Sequence, residues 1–340
     1  MNSKRKDYIT LLSVLSAIAV IILHCNRCHW TFSYDRYWFT SGIICSICYP
    51  AVPIFFMITG ANLLDYQDKY STKEYFKKRA LKVFIPYVVW TVIMLIYLIS
   101  IKEVSLSKIT FQYIFNGLEN GSIMRFYWFF TPLICVYLSI PLFASVEKTK
   151  RKKVFSYLAL LGFILNVFIP FISKLFNLGL SSSIFIIVSY NYLLYALIGY
   201  LLDKHDLQKR DRIIIYILGM LGLLMQCFGT YFASIKAGEL IDTFNEYTNV
   251  PCLLYGVSIF VFVKELCKKI KIWKGINWLS KYTFALYLMH YLVLDPIQRI
   301  FNPDIRSIYY RLSMPFIVIP IVILVTFLLR KIPIIKRIVP

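Results

Sequence analysis

The sequence predicts an all-α, polytopic integral membrane protein, a single unit over residues 1–340 with about ten transmembrane helices and both termini in the cytoplasm. Three observations carry this. Charged residues make up 16% of the chain and hydrophobic ones 59%, where an ordinary soluble domain holds about 25% charged residues. Apolar stretches such as Leu11 to Leu23 and Phe316 to Leu329 carry no charge and show none of the alternation of barrel strands. Basic residues collect in the gaps between those stretches, more heavily in every second gap.

The spans follow in order, each about as long as a helix needs to cross a hydrocarbon core of about 30 Å. The first, about 8–25, follows Lys4-Arg5-Lys6. It is expected to stay in the protein, because Leu23-His24-Cys25-Asn26-Arg27 offers no small-residue cleavage site. The second, about 39–62, contains Pro50 and Pro53, and the third, about 83–101, opens at Pro86. The fourth, about 126–146, contains Pro132 and Pro141. Such prolines are tolerated in lipid because neighbouring helices satisfy the freed carbonyls. The remaining spans cover about 154–173, 183–202, 212–235, 249–267, 279–298 and 312–330. No connection exceeds the two dozen residues of about 102–125, so chemistry falls to the helices and their ends.

The net charge is +21, from 38 Lys and Arg against 17 Asp and Glu. In a soluble protein that excess points to nucleic acid. Here the ten-span topology places 28 of the 38 on the N-terminal side and 10 on the other, as the positive-inside rule requires of a multi-pass plasma-membrane protein. Anionic lipid is then the default partner of the charge, and no nucleic acid is expected.

Ionisable groups inside spans are costly and are functional candidates. His24 ends the first span, His290 lies mid-way along the ninth and Asp295 in its outer part. Helical rise places His24 about 25 Å above Asp7 and Asp295 about 21 Å above Lys281, at matching depth. His24 reads as a general base with Asp295 orienting its ring, or as an interfacial residue touching headgroups with Asp295 a cap before Pro296. His290 reads as a core histidine bonded between helices. At the inner surface Lys78, Arg79 and Lys82 lead into the third span, and Arg79 and Lys82 are three apart on one helical face. They read as a phosphate clamp for a nucleotide-containing donor, or as lipid-facing charge. Arg125, Tyr127 and Trp128 open the fourth span as an aromatic belt, or as a stacking surface for a sugar. Cys25-x-x-Cys28 and Cys45-x-x-Cys48 have the spacing of a four-thiolate site. Buried cysteine commonly serves as a small hydrophobe, and no metal is expected.

Several segments, read in order over nearly the whole chain, resemble the acyltransferase-3 family. They are Tyr8 to Ser13 through His24, Pro53-Ile54-Phe55-Phe56-Met57-Ile58-Thr59-Gly60, Lys78-Arg79-Ala80-Leu81-Lys82 to Pro86, Tyr127-Trp128-Phe129, Tyr192 to Gly199, and Leu279 through His290. The resemblance implies a membrane O-acyltransferase that moves an acetyl or other acyl group from acyl-CoA to a hydroxyl of an envelope polysaccharide, peptidoglycan or related acceptor. It implies His24 as the catalytic histidine, Arg79 as the first arginine of the family's R-x-x-R with Lys82 in the second place, and Trp128 as the aromatic opening the fourth span. Where the family carries an acidic and a basic residue, this chain has Thr10 and Ser13. Lys6, five helical turns below His24, is a conceivable replacement for the missing charge. Two rivals follow from the departure: a transporter with a cavity lined by Asn166, Asn191, Gln226 and His290, and an inactive partner of another envelope enzyme.

Overall fold

The computed structural model describes residues 6–179, 185–333, 335, 338 and 339. It is all-α, with no strand among the described residues. Four of the basic residues counted above (Lys4, Arg5, Lys336 and Arg337) and the start of the expected span 183–202 lie outside them. Among the described residues, eight helical stretches are long and apolar enough to cross a membrane.

Helix α1 (Asp7–Cys25) is apolar over most of its surface and is accordingly enclosed, packed among the helices of the second, eighth, ninth and tenth expected spans. The stretch Arg36–Asp68 divides into α2 (Arg36–Cys48) and α3 (Ala51–Leu63). The break falls at Tyr49 and Pro50, where the proline has no N–H to continue the ladder. Helix α4 (Thr72–Arg79), capped by Ser71, runs through a π turn (Ala80–Phe84) into α5 (Ile85–Ser100). Pro86 cannot donate to the carbonyl of Lys82, and the ladder widens by one residue ahead of it. The same device recurs where α8 (Lys148–Gly162) passes through a π turn (Phe163–Phe168) into α9 (Ile169–Phe176), ahead of Pro170. Between these lie α6 (Phe111–Asn120) and α7 (Phe130–Ala144), the latter entered by a 3-10 turn at Arg125–Phe129.

The expected sixth span is the shorter α10 (Tyr192–Lys204), since Ile187–Ser189 form only a 3-10 turn. The seventh is α11 (Lys209–Leu224) and α12 (Thr230–Ala237) about a third π turn at Met225–Gly229. Then come α13 (Val250–Lys269), the short α14 (Lys274–Leu279), α15 (Thr283–Phe301), which corresponds to the ninth span, and α16 (Ile308–Leu329). Outward-facing Ile217, Leu221, Phe316, Leu324 and Phe327 form part of an exposed apolar belt that only lipid suits.

Two contacts fix the frame. At the end that holds Lys6, Asp203 receives the ammonium of Lys6 and the hydroxyl of Tyr8. Asp65 receives Arg151 at 2.7 Å, Tyr200 at 3.2 Å and Lys204, so α1, α3, α8 and α10 are tied through ion pairs and hydrogen bonds. In the interior α3 and α10 touch backbone to backbone. A Cβ on Gly60 would stand 1.8 Å from the Ala196 carbonyl oxygen, and one on Gly199 2.1 Å from that of Met57. Small residues of this kind let helices approach in lipid. Gly60→Ala or Gly199→Ala is expected to destabilise the bundle by about 2 kcal/mol or more, since neither backbone can yield. Thermal unfolding in detergent checks this.

Candidate active site

His24 sits half-buried in the last turn of α1. Its Nδ1 lies 2.6 Å from Nε2 of His290 on α15. The two rings stack at 4.6 Å with 16° between their planes, and the Phe126 ring lies 3.9 Å from that of His24. His290 is buried, and its Nδ1 faces the carbonyls of Leu286 at 3.0 Å and Tyr287 at 2.8 Å. Carbonyls only accept, so the proton of His290 resides on Nδ1 and its Nε2 is an acceptor. Nδ1 of His24 then donates to it, which places the lone pair of His24 on Nε2. This is the tautomer a general base needs, and it is held by a second imidazole.

Toward the opposite end, Arg79 closes α4. Its guanidinium lies over the rings of Tyr75 at 5.9 Å and Tyr137 at 5.5 Å, and its Nε is buried without a hydrogen-bond partner. The expected shared face with Lys82 is not kept: the π turn intervenes, Arg79 turns inward and Lys82 is exposed. Lys78 is half-exposed, paired with Glu74 at 2.8 Å and set 3.9 Å above the Tyr70 ring. Between the two centres an apolar cavity of about 140 Å³ is bordered by Phe55, Thr59, Leu133, Tyr137, Phe284 and Tyr287. One end is the ring that Arg79 covers. At the other end, the Tyr287 ring lies 6.3 Å from that of His290.

Across this whole arrangement, residues 6–330 match the family model described as an acyltransferase domain, that of acyltransferase-3. The chain belongs to the acyltransferase-3 family. No curated protein and no solved structure matches it.

In this acyltransferase Asp295 does not meet His24. Its oxygens accept from Tyr97 at 2.7 Å, Tyr291 at 2.9 Å and Arg299 at 2.6 Å, and Arg299 also pairs with Glu103. Five helical steps from His290 rotate Asp295 by about 140°, onto another face of α15. Lys6 is likewise taken by Asp203 and supplies no charge near His24. Thr10 and Ser13 are buried, with hydroxyls toward the carbonyls of Lys6 at 3.5 Å and Ile9 at 2.7 Å.

The aromatic opening of α7 separates into two functions. Trp128 is half-buried and faces Tyr247 at 5.2 Å and Tyr192 at 6.0 Å. Tyr247 lies parallel to Tyr49 at 4.1 Å, completing an aromatic wall. Arg125 is exposed. Tyr127, expected at a sugar surface, is buried instead, and its hydroxyl donates to the Leu288 carbonyl at 2.6 Å. Its work is to hold the 3-10 turn against α15. Tyr127→Phe is expected to cost about 1 to 2 kcal/mol of stability, the price of an unpaired buried carbonyl, and to leave transfer within about threefold of the parent; melting and a turnover assay check both.

Residues of the transporter reading are dispersed. Asn166 and Asn191 border one cavity, Gln226 is fully buried away from its lining, and His290 belongs to His24. Among the described residues no three of His, Cys, Asp and Glu are close enough to share a metal ion. Cys45 instead accepts from Asn245 at 3.4 Å. Two groups beside the site were not singled out in the sequence. His29 is enclosed with both ring nitrogens unpartnered, and burial pushes its pKa down to about 4, so it stays neutral. Arg311 is 1% exposed and reaches Asn26 at 3.3 Å and Thr40 at 2.9 Å, tying α16 to the residue after α1.

Proposed function

We propose that the protein is an O-acyltransferase of the plasma membrane that carries an acyl group, acetyl in the simplest case, from acyl-CoA to a hydroxyl of a cell-envelope glycan. The observation that supports this best is the His24–His290 pair, whose tautomers leave a basic nitrogen at the end of α1. The donor's phosphates dock at Arg79, with Lys78 and Lys82 supplying surface charge, from a cytoplasmic side that holds both termini. The acyl-bearing arm occupies the cavity between Tyr137 and Tyr287.

His24 Nε2 takes the proton of the acceptor hydroxyl while that oxygen attacks the thioester carbonyl. The tetrahedral adduct collapses, the carbon–sulfur bond breaks, and the thiolate recovers the proton from His24. The acyl ester and free CoA thiol leave, with nothing gained or lost in redox terms. Purified protein in nanodiscs with radiolabelled acetyl-CoA and the envelope glycan fraction of the source organism is expected to yield base-labile label on glycan and one thiol per ester. Thiol without labelled glycan would assign the acceptor elsewhere, and neither product would overturn the reading.

A further inference from the structure

The end of the bundle that carries His24 contains a second cavity, of about 690 Å³, between the π turn before α9, the C-terminus of α9, the segment entering α10 and the loop entering α13. That is the size of a small-molecule site. Neither His24 nor Trp128 lines it. Its lining is about evenly polar and apolar: Lys174, Asn177, Asn191, Glu246 and Thr248 contribute the polar groups, with Tyr190 as an exposed ring. Lys174 is held by Asp242 at 3.1 Å and by Glu246, so its charge is already compensated and the lining offers donors and acceptors but no uncompensated cation for a phosphate. Amide, hydroxyl and carboxylate groups beside an aromatic face suit the hydroxyls and the apolar face of a sugar ring.

Two further features connect the cavity to the site. Asn191 is held at φ 49°, ψ −128°, backbone space close to that reserved for glycine, and such strain persists where surroundings enforce it and gathers at ligand clamps. Asn191 and Thr248 each adjoin a ring of the aromatic wall. Tyr192 follows Asn191, Tyr247 precedes Thr248, and both rings face Trp128 at 6.0 and 5.2 Å. Trp128 shares its 3-10 turn with Phe126, the residue against His24. The cavity is thus connected to the reacting centre through the aromatic wall and the turn that carries Phe126.

We propose that this cavity binds a sugar of the acceptor next to the one being acylated, so that the acceptor is an oligosaccharide of two or more units read at a distance from the reacting hydroxyl. This rests on the reading of the acceptor as a glycan. The test uses the full chain in nanodiscs and the oligosaccharides released from the source organism's envelope glycans. Thr248→Cys is labelled with a membrane-impermeant maleimide, against the parent as background. The oligosaccharides are expected to slow that labelling about tenfold, and the same material hydrolysed to monosaccharides to slow it far less. Labelling unaffected by oligosaccharide overturns the site, and equal protection by monosaccharides overturns the two-unit requirement. In turnover, Thr248→Trp is expected to raise the acceptor KM about tenfold; an unmoved acceptor KM in a folded variant also overturns it. Failure of the parent to transfer acyl groups bears on the reaction alone, because the labelling reads the cavity without it.

Discussion

His24→Ala is expected to lower acyl transfer by about a thousandfold, within the range general base catalysis contributes, without changing the melting temperature by more than a few degrees. The side chain is half-buried and its one hydrogen bond is to His290, so its loss removes chemistry more than packing. The partner gives the sharper experiment. His290→Leu removes the acceptor that fixes the His24 tautomer, and turnover is expected to fall about a hundredfold. His290→Gln retains a carbonyl that can accept from Nδ1 of His24 and is expected to recover about a tenth or more of the parent rate. Asp295→Asn is expected to act mainly on stability, through Tyr97, Tyr291 and Arg299. Full activity in His24→Ala, or equal rates in the Leu and Gln variants, would remove the imidazole pair from the mechanism.

Arg79→Ala is expected to raise the KM for acyl-CoA about ten- to a hundredfold, with a smaller effect on kcat at saturating donor. The buried, unpartnered Nε is the reason. A polar atom enclosed without a partner is costly, and an arriving phosphate supplies the missing acceptor. A charge-assisted hydrogen bond is worth about 1.5 to 3 kcal/mol, and each 1.4 kcal/mol is tenfold. Arg79→Lys keeps the charge, loses the planar fork and is expected to fall between the two. Lys82→Ala and Lys78→Ala, whose side chains face solvent or Glu74, are expected to shift KM by less than about threefold. Equal effects at all three positions would mean that the patch attracts anionic lipid alone.

The all-α, many-span architecture was legible because apolar run length is a local property, although ten spans were expected and eight helical stretches among the described residues are long and apolar enough to cross a membrane. Span six was misjudged, since an apolar run before Tyr192 forms a turn where a helix was expected. His24, Arg79 and Trp128 were legible as candidates because a charge in an apolar run, or a ring at an interface, is conspicuous in one dimension. Their partners were not. Equal helical rise put His290 about 13 Å above Lys281, far below His24, yet the helices do not start level and the two rings stack. Asp295 had the right depth and the wrong face. The shared face of Arg79 and Lys82 assumed an α-helical register that the π turn ahead of Pro86 interrupts from Ala80 onward.

Gly60 and Gly199 bring two main chains into direct contact, and a joint with no side chains in it has no slack. Helices α3 and α10 must travel as one rigid plate. The apolar cavity abuts that plate through Phe55, Ile58 and Thr59, so widening it to admit a chain of atoms falls to its opposite bank, α7 and α15. The latter carries His290. A displacement of that bank would carry His290, and with it the hydrogen bond that sets the tautomer of His24.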